Sequence, residues 1–129
     1  MGKRYLLDSN TVIDYVADLY PEKATQWLSQ HIDEEINVSI ITKIEVLSFN
    51  PDKDANYPVF LDFFAASKVF DLTEDVVNQT IQIRQKQKIK LPDAVIASTA
   101  LVKGLILVSR NTKDFKNIPG LDVINPYDI

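Results

Sequence analysis

The chain has 129 residues, no cysteine and a single histidine, His31. Without thiols it can form neither disulfides nor thiolate zinc sites, and that composition accords with a reducing cytoplasm. A single imidazole excludes a histidine-pair ribonuclease, in which acid and base both titrate near neutral pH. His31 falls near the end of a helical segment around Trp27, away from the acidic motifs, and reads as a helix-end residue. No apolar run approaches the roughly 20 residues of a bilayer span. Met1-Gly2-Lys3-Arg4 leads straight into a strand-like run, with no signal-peptide pattern. Positive charge is also in short supply. The formal net charge of −4 argues against a broad basic face that coats nucleic acid, but local Lys and Arg clusters can still hold phosphates. There is no internal repeat, low-complexity segment or dividing linker, so residues 1–129 read as one domain.

What is present is an alternation of short strands and helices. Lys3 to Leu7 reads as a buried strand, and Asp8-Ser9-Asn10-Thr11 offers caps for a helix over Val12 to Leu19. Pro21 starts a second helix to about Ile32, with Ala24, Trp27, Leu28 and Ile32 on one face. Ile36 to Ile41 is rich in β-branched residues and predicts a strand, after which Thr42 begins a helix through Glu45 and Leu47. Asn50 to Asp54 is a loop, and an aromatic helix with Tyr57, Phe60, Leu61, Phe63 and Phe64 follows. Val69 to Leu72 predicts a third strand. Helices are predicted over Thr73 to Gln87 and Pro92 to Lys103, the second ended by Gly104. Leu105 to Val108 and Asp122 to Ile124 complete the strands. This order implies a three-layer α/β/α sandwich with a mostly parallel sheet.

Acids stand at the ends of these segments: Asp8 after the first strand, Glu45 within a helix, Asp93 at a helix start behind Pro92, and Asp114 after the fourth strand. In a parallel sheet the carboxyl ends of all strands face one edge, so such residues can meet in one crevice. Carboxylates gathered there repel one another unless a cation neutralises them, and oxygen ligands favour Mg²⁺ or Mn²⁺ over zinc. Each residue also has an ordinary explanation. Asp8 can be a helix cap, Asp93 a first-turn acid favoured by the helix dipole, and Glu45 part of an exposed helical stripe. Because Ile44, Val46 and Leu47 flank it, Glu45 is expected in a largely buried segment, where a long acid needs either solvent access or a partner.

Taken together, the motifs are more specific. Leu6-Leu7-Asp8-Ser9-Asn10, Ser39 to Glu45, Leu91-Pro92-Asp93-Ala94-Val95-Ile96-Ala97 and Leu107 to Phe115 occur in an order that resembles a PIN domain, the metal-dependent nuclease fold. Within that family the chain is similar to the short VapC-type toxins of toxin-antitoxin pairs. The resemblance implies that Asp8, Glu45 and Asp93 form the acidic core of a Mg²⁺ site. The family's fourth position is an acid or amide in the loop after the fourth strand. Asn111 stands there in this chain and Asp114 lies three residues on, so the fourth ligand is open between them, and with it the number of metals.

The implied activity is RNA hydrolysis by metal-activated water, with Asn111 and Asp114 supporting the core. Asn10, Thr11 and Ser109 would orient water or phosphate, and Arg110 is a candidate phosphate contact. The run from Arg84 to Lys90 reads first as helix-end charge, with RNA phosphates as a second use. Trp27, Tyr57, Phe60, Phe63 and Phe64 read most simply as core residues. The resemblance also implies a homodimer and a VapB-like antitoxin bound across helices of the first half, a use that surplus aromatic surface at Tyr15, Tyr57, Phe60 or Phe64 would fit. Two other readings are weaker. A haloacid dehalogenase-like phosphatase needs a second acid where Asn10 stands, and a receiver-like domain needs paired acids near the first strand. A catalytically degenerate PIN-like binding module is the non-enzymatic alternative.

Overall fold

A computed structural model describes residues 2–129. Leucine and valine alternate between two cores, and that alternation explains the architecture. Strands β1 (Tyr5–Leu7), β2 (Asn37–Ser39), β3 (Lys68–Phe70), β4 (Ile106–Val108) and β5 (Val123–Ile124) form one sheet in the order β3-β2-β1-β4-β5. Every pairing is parallel, with Leu7 opposite both Val38 and Val108, so the expected mostly parallel sheet is parallel throughout. Side chains on a strand point to opposite faces in turn. Leu6 and Leu107 accordingly enter a core with Ile83, Ile96, Ala97, Ala100 and Phe115. Leu7 and Val108 enter a second core with Val12, Leu28, Val46, Phe60 and Phe64.

Helices α1 (Ser9–Val16), α2 (Glu22–Glu34), α3 (Ile40–Leu47) and α4 (Tyr57–Ala65) supply the second core. Helices α5 (Glu74–Lys86), α6 (Leu91–Lys103) and α7 (Thr112–Phe115) supply the first. Residues 94–100 of α6 are buried on every side, as the small residues Ala94, Ala97, Ser98 and Ala100 permit. Gly104 ends α6 in the left-handed conformation, φ 67°, which glycine adopts without steric cost. Among the described residues no helix is long and apolar enough to cross a membrane.

Three expectations need correction. The second strand ends at Ser39, not Ile41, because the Ser39 side chain accepts a hydrogen bond from the Ile41 amide at 3.1 Å and so caps α3. That local cap overrides the β-branched preference of Ile40 and Ile41. The loop after β4 contains the short helix α7. Phe60 and Phe64 are buried in the second core, so they are not surplus surface for a partner. Tyr15 and Tyr57 are half-buried, and their hydroxyls bond Ser29 and the Leu47 carbonyl.

Helix α5 follows its sequence signals closely. Thr73 caps it by accepting from the Val76 amide at 3.4 Å, with Glu74 and Asp75 in its first turn and Arg84 and Lys86 in its last. Thr73→Ala should therefore cost about 1 kcal/mol of folding stability, read by urea denaturation. An unchanged midpoint would mean that the long cap bond contributes nothing.

Candidate functional site

The chain runs outward from β1 to β3, then crosses back to β4 beside β1. This reversal opens a crevice at the carboxyl ends of β1 and β4, the usual ligand position in open α/β sheets. Asp8 enters it directly after β1. The residue is the N-cap of α1, accepting from the Ser9 amide at 2.8 Å through Oδ1, as the cap reading expects. Its other oxygen, Oδ2, accepts from the Ser109 hydroxyl at 2.7 Å and from Asn10 Nδ2 at 3.1 Å. Asp8 is only 4% exposed. Burial pushes its carboxyl up from 3.8 to about 6, opposed by the bonds from Ser109 and Ser9 and reinforced by the charges of Asp93 and Glu45.

Glu45 comes from α3 and accepts a hydrogen bond from the Ser9 hydroxyl at 2.6 Å through Oε1. The expected buried setting is wrong. Glu45 and Ile44 are both exposed, and only Thr42 and Val46 on α3 are buried, so the acid has free access to solvent and needs no buried partner. Asp93, in the first turn of α6, is half-buried. Its carboxyl is also raised, by desolvation first, then by Asp114 and Glu45, while Lys90 acts in the opposite direction.

The fourth position resolves into a pair. Asn111 Nδ2 donates to Asp114 Oδ2 at 2.9 Å, and the Asn111 amide donates to the Ser109 hydroxyl oxygen at 3.0 Å. Asp114 is thus the carboxylate that reaches Asp93 electrostatically, and Asn111 braces it.

The remaining expected residues divide by burial. Thr11 and Ser109 are fully buried. Thr11 donates to the Val108 carbonyl at 2.7 Å and ties α1 to β4, while the Ser109 hydroxyl serves Asp8, Asn10 and Asn111. Both face inward and hold the crevice in shape through these bonds. Asn10 is partly accessible, and its Oδ1 accepts from the Arg110 amide at 3.2 Å. The Arg110 guanidinium is already engaged, donating to Asp14 Oδ2 at 2.6 Å, with the Tyr127 hydroxyl on the same oxygen at 3.1 Å. Asp14 is a buried acid that sequence reasoning missed. Its signal was an acid between the apolar Ile13 and Tyr15, four residues after Asn10.

His31 lies at the other end of the sheet. Its ring packs against Tyr5 and Trp27 at 4.5 Å and 4.4 Å between centroids, beside the Arg4–Glu35 pair. It takes no part in the crevice.

Asp8 therefore senses the charges of Asp93 and Glu45, and Asp93 those of Asp114 and Glu45. None of them forms an ion pair among the described residues, where the salt bridges are Arg4–Glu35 and Arg110–Asp14. They do not close into a ready cage: no three acids among the described residues approach closely enough to surround one ion. Their donor set, carboxylate oxygens alone, is of the chemical type that Mg²⁺ takes, with water filling the remaining positions.

Comparison with known proteins decides the family. The PIN domain family model matches residues 5–121. This chain belongs to the PIN domain family. No curated protein sequence matches it, but solved structures do. A toxin-antitoxin complex from Klebsiella pneumoniae is 30% identical with a TM-score of 0.75, covering 97% of this chain and 99% of that one. FitAcB from Neisseria gonorrhoeae is 28% identical, TM-score 0.74, over 97% and 99% of the two chains. DNA-bound VapBC from Salmonella typhimurium is 25% identical, TM-score 0.77, again over 97% and 99%. The family expected from the four motifs, the VapC-like PIN domains, is the one whose fold these neighbours share.

Proposed function

We propose that this PIN domain is a Mg²⁺-dependent endoribonuclease and the toxin of a VapBC-type toxin-antitoxin pair. One observation carries the reading: the charges of Glu45 and Asp93 raise the Asp8 carboxyl and those of Asp114 and Glu45 raise Asp93, so these acids share one neighbourhood beside the β1/β4 reversal. A Mg²⁺ or Mn²⁺ ion held there by Asp8 and Asp93, directly or through water, with Glu45 and Asp114 at its margin, would lower the pKa of a bound water and stabilise charge developing on a phosphodiester.

The chain's own residues perform the positioning. Ser9, Asn10 and Ser109 fix the Asp8 carboxylate from three directions, so its lone pairs are aimed before anything binds. Glu45 Oε1 holds the Ser9 hydroxyl proton, which couples the α3 acid to the α1 cap. Asn111 holds Asp114 toward the same crevice. Precise support of this kind separates a working acidic site from a loose one.

The partner part of the reading draws on the complexes whose fold the chain shares. It is supported by the exposed apolar residues Ile44, Phe49, Val59 and Leu61 on and between α3 and α4, where a VapB-like antitoxin or the second copy of a homodimer would cover them.

The test incubates purified protein with structured and unstructured RNA in Mg²⁺, in Mn²⁺ and in EDTA. Cleavage is expected with either metal and should stop in EDTA; cleavage that persists in EDTA would sink the metal mechanism. The open spacing of the acids also suits a degenerate PIN-like binding module. Inactivity on every RNA together with a stable antitoxin complex would mark that alternative.

A further inference from the structure

Four cations share one groove with two of the crevice acids. A groove of about 510 Å³ lies between the end of α5 with its following loop and α7, lined by Arg84, Lys88, Lys90 and Lys113 together with Asp93 and Asp114. None of these four cations forms an ion pair among the described residues, although the chain carries 18 acids to 14 lysines and arginines.

The groove is braced across its floor. Gln87 Nε2 donates to the Asn117 carbonyl at 3.4 Å and joins the two walls. Arg84 Nε donates to the Ile89 carbonyl at 3.3 Å, which fixes the stem and leaves both terminal amino groups for another acceptor. A helix dipole accounts for Arg84 at the end of α5. It does not account for Lys88, beyond the helix, or for Lys113, which reaches the same groove from α7. Arg110, the other cation near the acids, is already held by Asp14. Arg84, Lys88, Lys90 and Lys113 thus converge from α5, its following loop and α7 on the groove that also holds Asp93 and Asp114.

We infer that this groove binds the phosphodiester backbone of a single RNA strand flanking the scissile bond, with Arg84, Lys88 and Lys113 as phosphate contacts. The inference rests on the nuclease reading for the identity of the strand. A single strand suits the site because Asp93 is half-buried between the walls, so the reacting phosphate must enter the groove. A rigid duplex presents its backbone on the outside of a wide cylinder.

The test separates binding from cutting. Anisotropy of a labelled single-stranded RNA of about a dozen nucleotides is followed in EDTA between about 50 and 200 mM salt. Arg84→Ala, Lys88→Ala and Lys113→Ala should each weaken binding about three- to tenfold and lower the slope of log K against log salt by about 0.7. Lys23→Ala, on the exposed face of α2, should change neither. All three groove residues are exposed, and thermal melts establish that the variants fold. A triple variant with wild-type affinity and slope overturns the inference, as does equal binding of duplex RNA. Groove-dependent binding by a protein that cuts no RNA in Mg²⁺ would leave the groove standing and sink the nuclease reading. Cutting with groove-independent binding would do the reverse.

Discussion

Asp93→Asn is expected to lower single-turnover RNA cleavage at saturating Mg²⁺ by about 10²–10³-fold, the scale seen when one preorganised electrostatic group is removed from a site of charge development. The substitution keeps the size of the side chain and removes its charge. Asp93 sits in the first turn of α6, and the amide leaves that helix without its N-terminal acid, an effect of less than about 1 kcal/mol on stability. A large loss of activity with a nearly unchanged melt would thus report chemistry and not folding. Asp114→Asn should be milder, about 10–100-fold, because Asp114 is exposed and acts on Asp93 from the margin of the crevice. Equal losses for the two would move Asp114 into the core of the site and favour a second metal. Asp93→Asn that retains activity within a few-fold would remove the acidic site from the reaction altogether.

The second large effect is on stability, and its sign is opposite to that of most active-site substitutions. Burial holds the Asp8 carboxyl at about 6 against an ordinary 3.8, so the folded protein binds this proton more tightly than the unfolded chain. The stability that Asp8 contributes is complete below about pH 4 and is lost as pH rises through about 6. Two units correspond to at most about 3 kcal/mol. In metal-free buffer at pH 7, Asp8→Asn should remove this penalty, and Asn10 and Ser109 must then rearrange around the new amide at a cost of about 1 kcal/mol. The net expectation is a variant about 1–2 kcal/mol more stable than wild type at pH 7 and no more stable at pH 4.

Asp93 is raised in the same direction and adds to the wild-type slope. Glu35, held down to about 2 by Arg4 and Asn37, loses its contribution only as pH falls below about 4.5, so the interval from pH 5 to 7 isolates the crevice acids. Mg²⁺ should stabilise wild type by mass action and leave Asp8→Asn nearly unmoved. Melts that are flat from pH 5 to 7, or a variant no more stable than wild type at pH 7, would show that Asp8 is not strained by its burial.

Much of this was legible in the residues because fold and site use the same punctuation. Asp8 is both the end of a strand and the cap of a helix, and Thr73, Pro92 and Gly104 mark helix boundaries by mechanisms that act within a turn. What stayed hidden required knowing the third dimension. Ile40 and Ile41 have side chains that suit a strand, but the Ser39 cap turns them into the start of α3. Glu45 is surrounded in sequence by apolar residues, yet α3 is too short to be enclosed, and Ile44 beside it is 56% exposed. The Asp14–Arg110–Tyr127 cluster joins residues far apart in the chain, and no local pattern announces such a contact. Asn111 and Asp114 looked like alternatives because spacing cannot reveal that one holds the other.

The strands are only two or three residues long, and their alternation feeds two separate cores while β1 delivers Asp8 directly after its last residue. A one-residue deletion within β1 would exchange the faces of Leu6 and Leu7 and also withdraw Asp8 from Ser109 at the tip of β4. The error that empties the crevice is the same error that unpacks the sheet. A chain with this register out of step would fail to fold before it could present a misplaced Asp8, so one short strand serves as a check that any folded copy carries that acid against Ser109.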